Sequence, residues 1–506
     1  MNMSFSHRFF IIFILLLSLE LHIVGIWHPQ EAVFDEVHFG KFVSGYLTGQ
    51  YFFDIHPPLG KLAIAGIAKI VGFTPGFDFL TIGEQYPNYQ YIWLRFLPAL
   101  FGSLLAPLIY LLTLRISHSI WASRMAGLFI VFENALLVQS KFILIDSFLL
   151  FFGFAALYFF VESTVFFSEG RWGLWSCGAA SLCAGLAISV KWTAASFLGL
   201  ILVFGFWLLI KKIIAFLWQW NAPRVLIKKG IITRARSRSN ERDTVSKIIT
   251  MCLGYAMFLV IPSLIYIFLF AIHLELLPKK GSGNAYMSAR FGQSQAAGFP
   301  LRDFPANFYE LNLEMFRANQ RITTMHSYSS KWYTWPFMLR PVYYWNKDIT
   351  IGATTWYEKI YLLGNPFVWW LSTLTVAYFF VSIMCKACMI AFSHIRKKHT
   401  NVLEKHRGKP VSMYMTLFLS AGYLVNLLPF IFIGRVMFLY HYLTALVIAI
   451  MITAIMITSD QKPRKLFLGF LMLGTMVGFF VVFPISYGTI LNSAWPRSVF
   501  LLTSWI

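Results

Sequence analysis

Apolar runs of about twenty residues, each closed by a short polar or basic stretch, repeat along most of the chain. A helix of roughly that length is needed to cross the ~30 Å hydrocarbon core of a bilayer. Eleven segments approach it: 8–27, 92–114, 121–140, 142–162, 173–190, 193–215, 248–272, 364–391, 413–433, 435–458 and 465–488. The third to sixth are crowded, so roughly ten to twelve spans bound the count. The first run follows Arg8, as a signal peptide would, but it is long and no small-residue cleavage site comes after it, so it reads as a retained span. Two long polar stretches, 28–91 and 273–363, interrupt the rhythm. The first contains Leu59 to Phe73, short for a span and amphipathic, with Lys61 and Lys69 on it; this predicts a helix lying in the interface. The second predicts irregular structure and a few short helices, for example around Phe308 to Gln320.

Composition agrees with the pattern. Of 506 residues, 58% are apolar and 12% charged, outside the balance of soluble chains. A net charge of +21 would suit a nucleic-acid partner, but the basic residues crowd into loops between apolar runs, where membrane orientation accounts for them. The stretch 211–247 carries Lys211, Lys212, Arg224, Lys228, Lys229, Arg234, Arg236, Arg238, Arg242 and Lys247. Another, 386–409, carries Lys386, Arg396, Lys397, Lys398, Lys405, Arg407 and Lys409, and Lys462, Arg464 and Lys465 precede the last run. Eleven spans with a cytoplasmic N-terminus place all three clusters inside and both long polar stretches outside. The expected organisation is an N-terminal membrane region 1–272, a second outer loop 273–363 and a four-helix membrane region 364–506. The five cysteines lie in or beside apolar runs, which argues against a disulfide framework. Cys385 and Cys388 have the spacing of a redox pair but stand alone, and read as small buried residues.

Ionisable residues at a membrane border are costly and usually face a cavity or a partner. The eleven-span arrangement collects many at one level: Asp35 and Glu36 after the first span, Arg95, Lys141 with Asp146, Lys191, Arg435 and His441, with His326, Lys331 and Arg340 in the second outer loop. Glu20, His22 and Glu133 lie deeper and read as helix-to-helix hydrogen-bonding residues. A carboxylate pair can take a proton from a hydroxyl, and nearby cations can hold a phosphate. A site at the border suits a substrate whose tail stays in lipid. Lipid-phosphate-dependent group transfer and ion-coupled transport are both open on this layout. Transport favours midplane charges and repeated halves with broken helices, neither evident here, so the enzyme is preferred.

The stretch Phe34-Asp35-Glu36-Val37-His38-Phe39-Gly40-Lys41-Phe42, followed by Tyr51-Phe52-Phe53-Asp54-Ile55-His56-Pro57-Pro58-Leu59-Gly60-Lys61-Leu62, closely resembles the first luminal loop of the protein O-mannosyltransferase family. Further matches follow in family order: Leu94 to Gly102, Lys191-Trp192, His326 to Pro336, Arg340 to Trp345, Gly364-Asn365-Pro366 and Arg435 to Tyr442. The landmarks cover about 30 to 445. The resemblance implies an all-α polytopic GT-C glycosyltransferase fold, a mannose donor carried on dolichyl or another polyprenyl phosphate, and inverting transfer to protein Ser or Thr. It implies Asp35 as general base, with Glu36 beside it positioning the acceptor or sharing that role. Arg95 is implied to support the acidic loop or the donor.

The leaving lipid phosphate calls for a cationic clamp, for which Arg340, Arg435 and His441 are the candidates. If residues 435–442 are helical, Arg435, Phe438, Leu439 and Tyr442 share a face and His441 points aside. Tyr442 then joins Arg435 as a donor-binding candidate. An interface-anchoring Arg435 and a buried hydrogen-bonded His441 are the structural alternatives. His56, Lys191 and His326 are expected to contact the acceptor or order the loops. No cofactor is expected; a divalent metal held by His56 with Asp35 or Glu36 is the less favoured alternative. The Trp and Tyr residues from Trp332 to Trp345 read first as an interfacial aromatic belt. Eukaryotic family members carry a β-rich MIR module between the seventh and eighth spans, and 273–363 is too short for one. The chain is therefore expected to be a bacterial-type, MIR-free member in the plasma membrane, with its site on the periplasmic side and a dimer as one mode of assembly. That departure leaves acceptor recognition open. The nearest rival is the same machinery acting on a lipid or cell-envelope glycan, as in aminoarabinose transferases; a transporter is the remote one.

Overall fold

The computed structural model describes residues 5–166, 172–221, 238–324, 326–351, 354–395, 413–458, 464–492 and 501–505. The basic stretch 222–237, residues 396–409 of the second basic cluster and Lys462 lie outside the described residues. The chain runs α1 (Phe5–Ile23), α2 (Glu36–Thr48), α3 (Leu59–Ile70), α4 (Tyr91–Ser117), α5 (Ile120–Val131), α6 (Asn134–Lys141), α7 (Asp146–Phe166), α8 (Trp172–Ile188), α9 (Ala195–Asn221) and α10 (Arg238–Glu275). The second long loop holds α11 (Ala289–Ala296), α12 (Phe304–Arg321) and a hairpin of β1 (Val342–Ile351) and β2 (Thr354–Leu362). Then come α13 (Pro366–Ile395), α14 (Met413–Val425), α15 (Leu443–Ile457), α16 (Lys465–Tyr487) and β3 (Ile490–Asn492).

Among the described residues, nine helices are long and apolar enough to cross a bilayer, and ten if α5 and α6 count as one bent span. The expectation of eleven is not reached. The helix α8 is 17 residues long, about 26 Å at 1.5 Å per residue, against the ~30 Å hydrocarbon core. The predicted span 121–140 is broken by 52° between α5 and α6. Glu133 causes the break locally: its carboxylate caps α6 through the Ala135 N–H (3.2 Å) and also accepts the Asn365 N–H (3.0 Å). That second bond ties the broken span to the start of α13, a helix-to-helix role of the kind its depth implied. α4, α7 and α15 form the buried centre, whereas α1 and α9 turn most of their surface outward. All five cysteines are free. Cys385 and Cys388 are exposed on α13, so the reading of them as buried is corrected: they sit on its outward face.

The hairpin is the main departure from the sequence expectation, which held no strand in 273–363. Its residues are rich in β-branched and aromatic side chains, Val342-Tyr343-Tyr344-Trp345 against Lys359-Ile360-Tyr361-Leu362, which fit a half-buried pleat. The register pairs Tyr343 with Tyr361 and Trp345 with Ile360, leaving Tyr344 as a bulge residue. β3, arriving after the last membrane helix, adds to β2 and makes three antiparallel strands. The aromatic belt is corrected in part: Trp335, Tyr344 and Trp345 are fully buried, whereas Tyr333 stays exposed and Trp332 and Tyr343 are half-buried.

The two long loops form one layer at one end of the bundle. Gln50 bridges Lys279, and Gly281 and Gly283 lie flat on the backbone of Tyr51 and Phe52. A Cβ at Gly281 would stand 2.3 Å from the Tyr51 carbonyl oxygen, so only glycine permits this approach. Lys61, expected at the interface, is instead buried in α3 and ion-paired with Asp54, itself nearly buried.

Candidate active site

Phe34 is a non-glycine residue at φ +46°, in the sparsely populated left-handed region. Two contacts hold it there: its N–H donates to the Tyr344 carbonyl (3.1 Å), and its ring stacks on Tyr344 at 4.2 Å between centroids. The bulge thus supplies the surface against which the first loop turns. Beyond that turn, Asp35 and Glu36 part company.

Glu36 goes into the protein. Its oxygens accept from Arg95 Nε (2.7 Å) and Nη2 (2.8 Å), the Val33 N–H (2.9 Å), the Tyr86 hydroxyl (3.2 Å) and the Ile143 N–H (3.0 Å). Arg95 in turn spends its remaining N–H groups on the carbonyls of Ile26 (3.2 Å), Pro29 (2.8 Å) and Glu31 (2.9 Å). A guanidinium has five N–H donors and all five are engaged. Both side chains are fully buried and neither borders the cavity described next. Arg95 thus supports the acidic loop, the first of the two roles implied for it, and Glu36 points away from the cavity: together they fix the first loop.

Asp35 goes the other way. It stands at the N-cap of α2 without using its side chain to cap, and borders a cavity of about 810 Å³. Burial pushes its carboxyl up to about 6, against the opposing pull of His38 and Lys191. The same cavity is bordered by His56, Asp146, Lys191, Asn319, Arg435, Tyr440 and His441, with an apolar wall from Pro429, Phe430, Phe432, Ile433 and Leu443.

Lys191 and Asp146 form one polar edge. The ammonium lies 2.8 Å from each Asp146 oxygen and 5.4 Å from the Tyr440 ring centre. Gln139 donates to Asp146 (2.8 Å) and accepts from the Tyr344 hydroxyl, which links this edge back to the bulge beside Phe34. His56 lies in the loop before α3, where its carbonyl accepts from Lys61 (2.6 Å). Burial first, then the nearby cations Lys191, Lys61 and Arg435, hold its imidazole well below the usual range, so it is neutral at pH 7. Among the described residues, no group of three or more His, Cys, Asp or Glu side chains is placed to hold a metal ion.

Arg435 and His441 form a second polar edge. Residues before Leu443 are irregular or 3-10 in conformation, so the helical spacing that set the two apart does not hold. Arg435 Nη2 lies 3.1 Å from His441 Nε2, and Nη1 lies 2.5 Å from Asn319 Oδ1. The other candidates stand away from the cavity. Tyr442 is buried against Tyr423, hydroxyl to hydroxyl at 3.2 Å. His326 is exposed, with its ring 5.2 Å from that of Phe438. Arg340 packs its guanidinium 6.0 Å from the Tyr328 ring centre. None of the three borders the cavity; His326 orders its own loop, accepting from the Tyr328 N–H (3.2 Å) and the Ser329 N–H (2.9 Å). Asn319 and Gln139 were missed: each is a single neutral amide, one on an amphipathic loop helix and one in a short buried helix of mixed polarity, with no pattern to mark it.

The family model for dolichyl-phosphate-mannose-protein mannosyltransferases matches residues 12–278, more than half of the chain. The chain belongs to the protein O-mannosyltransferase family. A second model, for the C-terminal four TMM region of protein-O-mannosyltransferase, matches residues 304–505. Protein O-mannosyltransferase 1 of Drosophila melanogaster is 36% identical over 274 residues, which are 53% of this chain and 28% of the relative. Dolichyl-phosphate-mannose–protein mannosyltransferase 1 of Saccharomyces cerevisiae is 32% identical over 278 residues, 54% of this chain and 30% of the relative. The chain thus spans less than a third of the length of these curated relatives. A solved structure of the S. cerevisiae protein O-mannosyltransferase Pmt1-Pmt2 complex bound to the sugar donor superposes with a TM-score of 0.81 at 19% identity, covering 100% of this chain and 93% of that one. This O-mannosyltransferase family member therefore has the GT-C fold, as the ordered motifs implied.

Proposed function

We propose that the chain transfers mannose from a polyprenyl-phosphate donor to Ser or Thr hydroxyls of proteins at the outer face of its membrane. The observation that carries the reading is the Asp35 carboxylate on a cavity with two cationic edges and an apolar wall. Asp35 takes the hydroxyl proton as the acceptor oxygen attacks C1 of the sugar. The bond from C1 to the phosphate oxygen breaks, and the lipid phosphate leaves with the electron pair. Arg435, and Lys191 with its Asp146 partner, offer positive charge where that negative charge develops. The apolar wall suits a lipid tail. Attack opposite the leaving phosphate inverts the anomeric centre.

The test is to incubate membranes containing the protein with labelled polyprenyl-phosphate mannose and separate protein, lipid and glycan products. Label in protein that Asp35→Asn abolishes supports the reading. Label in lipid or glycan alone would move the acceptor to the rival class, and no label in any fraction would remove the reading.

A further inference from the structure

Two cations border the cavity in different company. Lys191 is paired with a carboxylate, Asp146, 2.8 Å from both oxygens. Arg435 is held by two neutral groups, Asn319 Oδ1 at 2.5 Å and His441 Nε2 at 3.1 Å, and pairs with no carboxylate among the described residues. We propose that Asn319 is a positioning residue that holds Arg435 in place while leaving its charge uncompensated for the donor phosphate. This rests on the reading of the site as a lipid-phosphate glycosyltransferase.

The amide's orientation follows from its other bonds. Asn319 Nδ2 donates to the Met315 carbonyl (3.0 Å) and to the Ile55 carbonyl (3.1 Å). Its two N–H groups are spent on carbonyls, so the oxygen must be the atom that faces Arg435. His441 works in the same sense: a ring nitrogen that accepts from a guanidinium must carry a lone pair, which keeps that imidazole neutral in this arrangement. A carboxylate at position 319 would hold the guanidinium more tightly, through a charge-assisted bond. It would also cancel the charge that has to meet a phosphate, in a cavity where an apolar wall weakens screening. Asp146, a carboxylate bordering the same cavity, is already taken by Lys191. The contact to Ile55, next to His56 in the first loop, ties the Arg435 partner to the first loop as well.

The experiment measures initial rates with the purified full-length protein in nanodiscs, varying labelled polyprenyl-phosphate mannose at saturating acceptor peptide. Asn319→Asp is expected to raise the KM for donor about tenfold or more and to lower kcat with it, because Arg435 meets the phosphate both when the donor binds and as its charge develops. Asn319→Ser, which keeps a neutral acceptor, is expected to raise that KM by less. A donor KM for Asn319→Asp within about twofold of wild type, or equal rises in both variants, would overturn the inference. Should Asn319→Asp not be recovered folded, Asn319→Ser is compared with Asn319→Ala: a lower donor KM for serine supports the role, and equal values overturn it. Wild-type protein that transfers no sugar removes the underlying reading as well; wild-type transfer with unmoved variants removes only the role of Asn319.

Discussion

Glu36 and Arg95 face each other as a two-pronged buried ion pair, Nε to Oε1 at 2.7 Å and Nη2 to Oε2 at 2.8 Å, with neither side chain reaching solvent. The pair closes a set of bonds that runs through Val33, Tyr86, Ile143 and three carbonyls of the first loop. Removing one partner strands a buried charge and several backbone groups. Glu36→Ala is expected to lose about 3–5 kcal/mol of stability, the range for breaking a buried pair. The check is thermal unfolding in detergent together with the yield of monodisperse protein. A variant as stable as wild type but inactive would return Glu36 to the chemistry.

Asp35 predicts the opposite outcome. Its carboxylate is held against burial without a capping bond, so replacing it with Asn removes a desolvation cost and no capping hydrogen bond. Asp35→Asn is expected to keep or slightly raise the unfolding temperature while lowering the transfer rate roughly 10²–10⁴-fold, the usual scale of general-base loss. The two neighbours thus separate in one experiment: stability falls at 36, and activity falls at 35.

The pH profile of transfer follows from the same group. The base must be unprotonated, so kcat/KM is expected to fall as pH drops through about 6, the value to which burial raises Asp35. Its stability contribution runs the other way. The folded state binds this proton more tightly than the unfolded chain, so the contribution is full below the ordinary carboxylate range and is lost as pH rises through about 6. In Asp35→Asn, that part of the stability slope should vanish. An acid limb centred near pH 4 would mean that a solvated carboxylate is the base.

Much of this site was legible in the residues because its chemistry needs charge where charge is expensive. Asp35, Lys191 and Arg435 stand out in an apolar chain, and the cavity gathers them from three distant segments. Other parts were hidden for physical reasons. Whether Asp35 or Glu36 meets the cavity depends on the backbone at Phe34, and no side-chain pattern announces a left-handed phenylalanine. Arg95 has the same charge as Arg435, and only the buried carboxylate and carbonyls around it tell a structural guanidinium from one that borders the cavity. His441 was set apart from Arg435 by a helical spacing that the irregular chain before α15 does not follow. The strands β1 and β2 lay inside a loop whose aromatics also fit a membrane interface.

Sidedness has its own test. Tyr309 on α12 is exposed in the layer formed by the long loops, and Lys465, a member of the third basic cluster, opens α16. In a cysteine-free background, Tyr309→Cys is expected to react with an impermeant maleimide in intact cells, and Lys465→Cys only after permeabilisation. Reversed labelling would overturn the outer-face placement of the cavity.

Lys191 and Asp146 are the last pair to separate. The ammonium meets both carboxylate oxygens, each side chain is about nine-tenths buried, and Gln139 braces the carboxylate from behind. Two roles are combined here: the pair holds α7 to the segment leading into α9, and it presents positive charge to the cavity. Lys191→Met leaves a carboxylate unpaired, and Asp146→Asn leaves an ammonium unpaired, whereas the double variant leaves neither. The double variant is therefore expected to be more stable than the sum of the single losses by about 1–3 kcal/mol, read from a double-mutant cycle of denaturant unfolding. Activity should not recover with it, because the restored neutrality removes the cation along with the strain. Recovery of transfer in the double variant would confine the pair to a structural role and leave Arg435 as the cation that meets the phosphate.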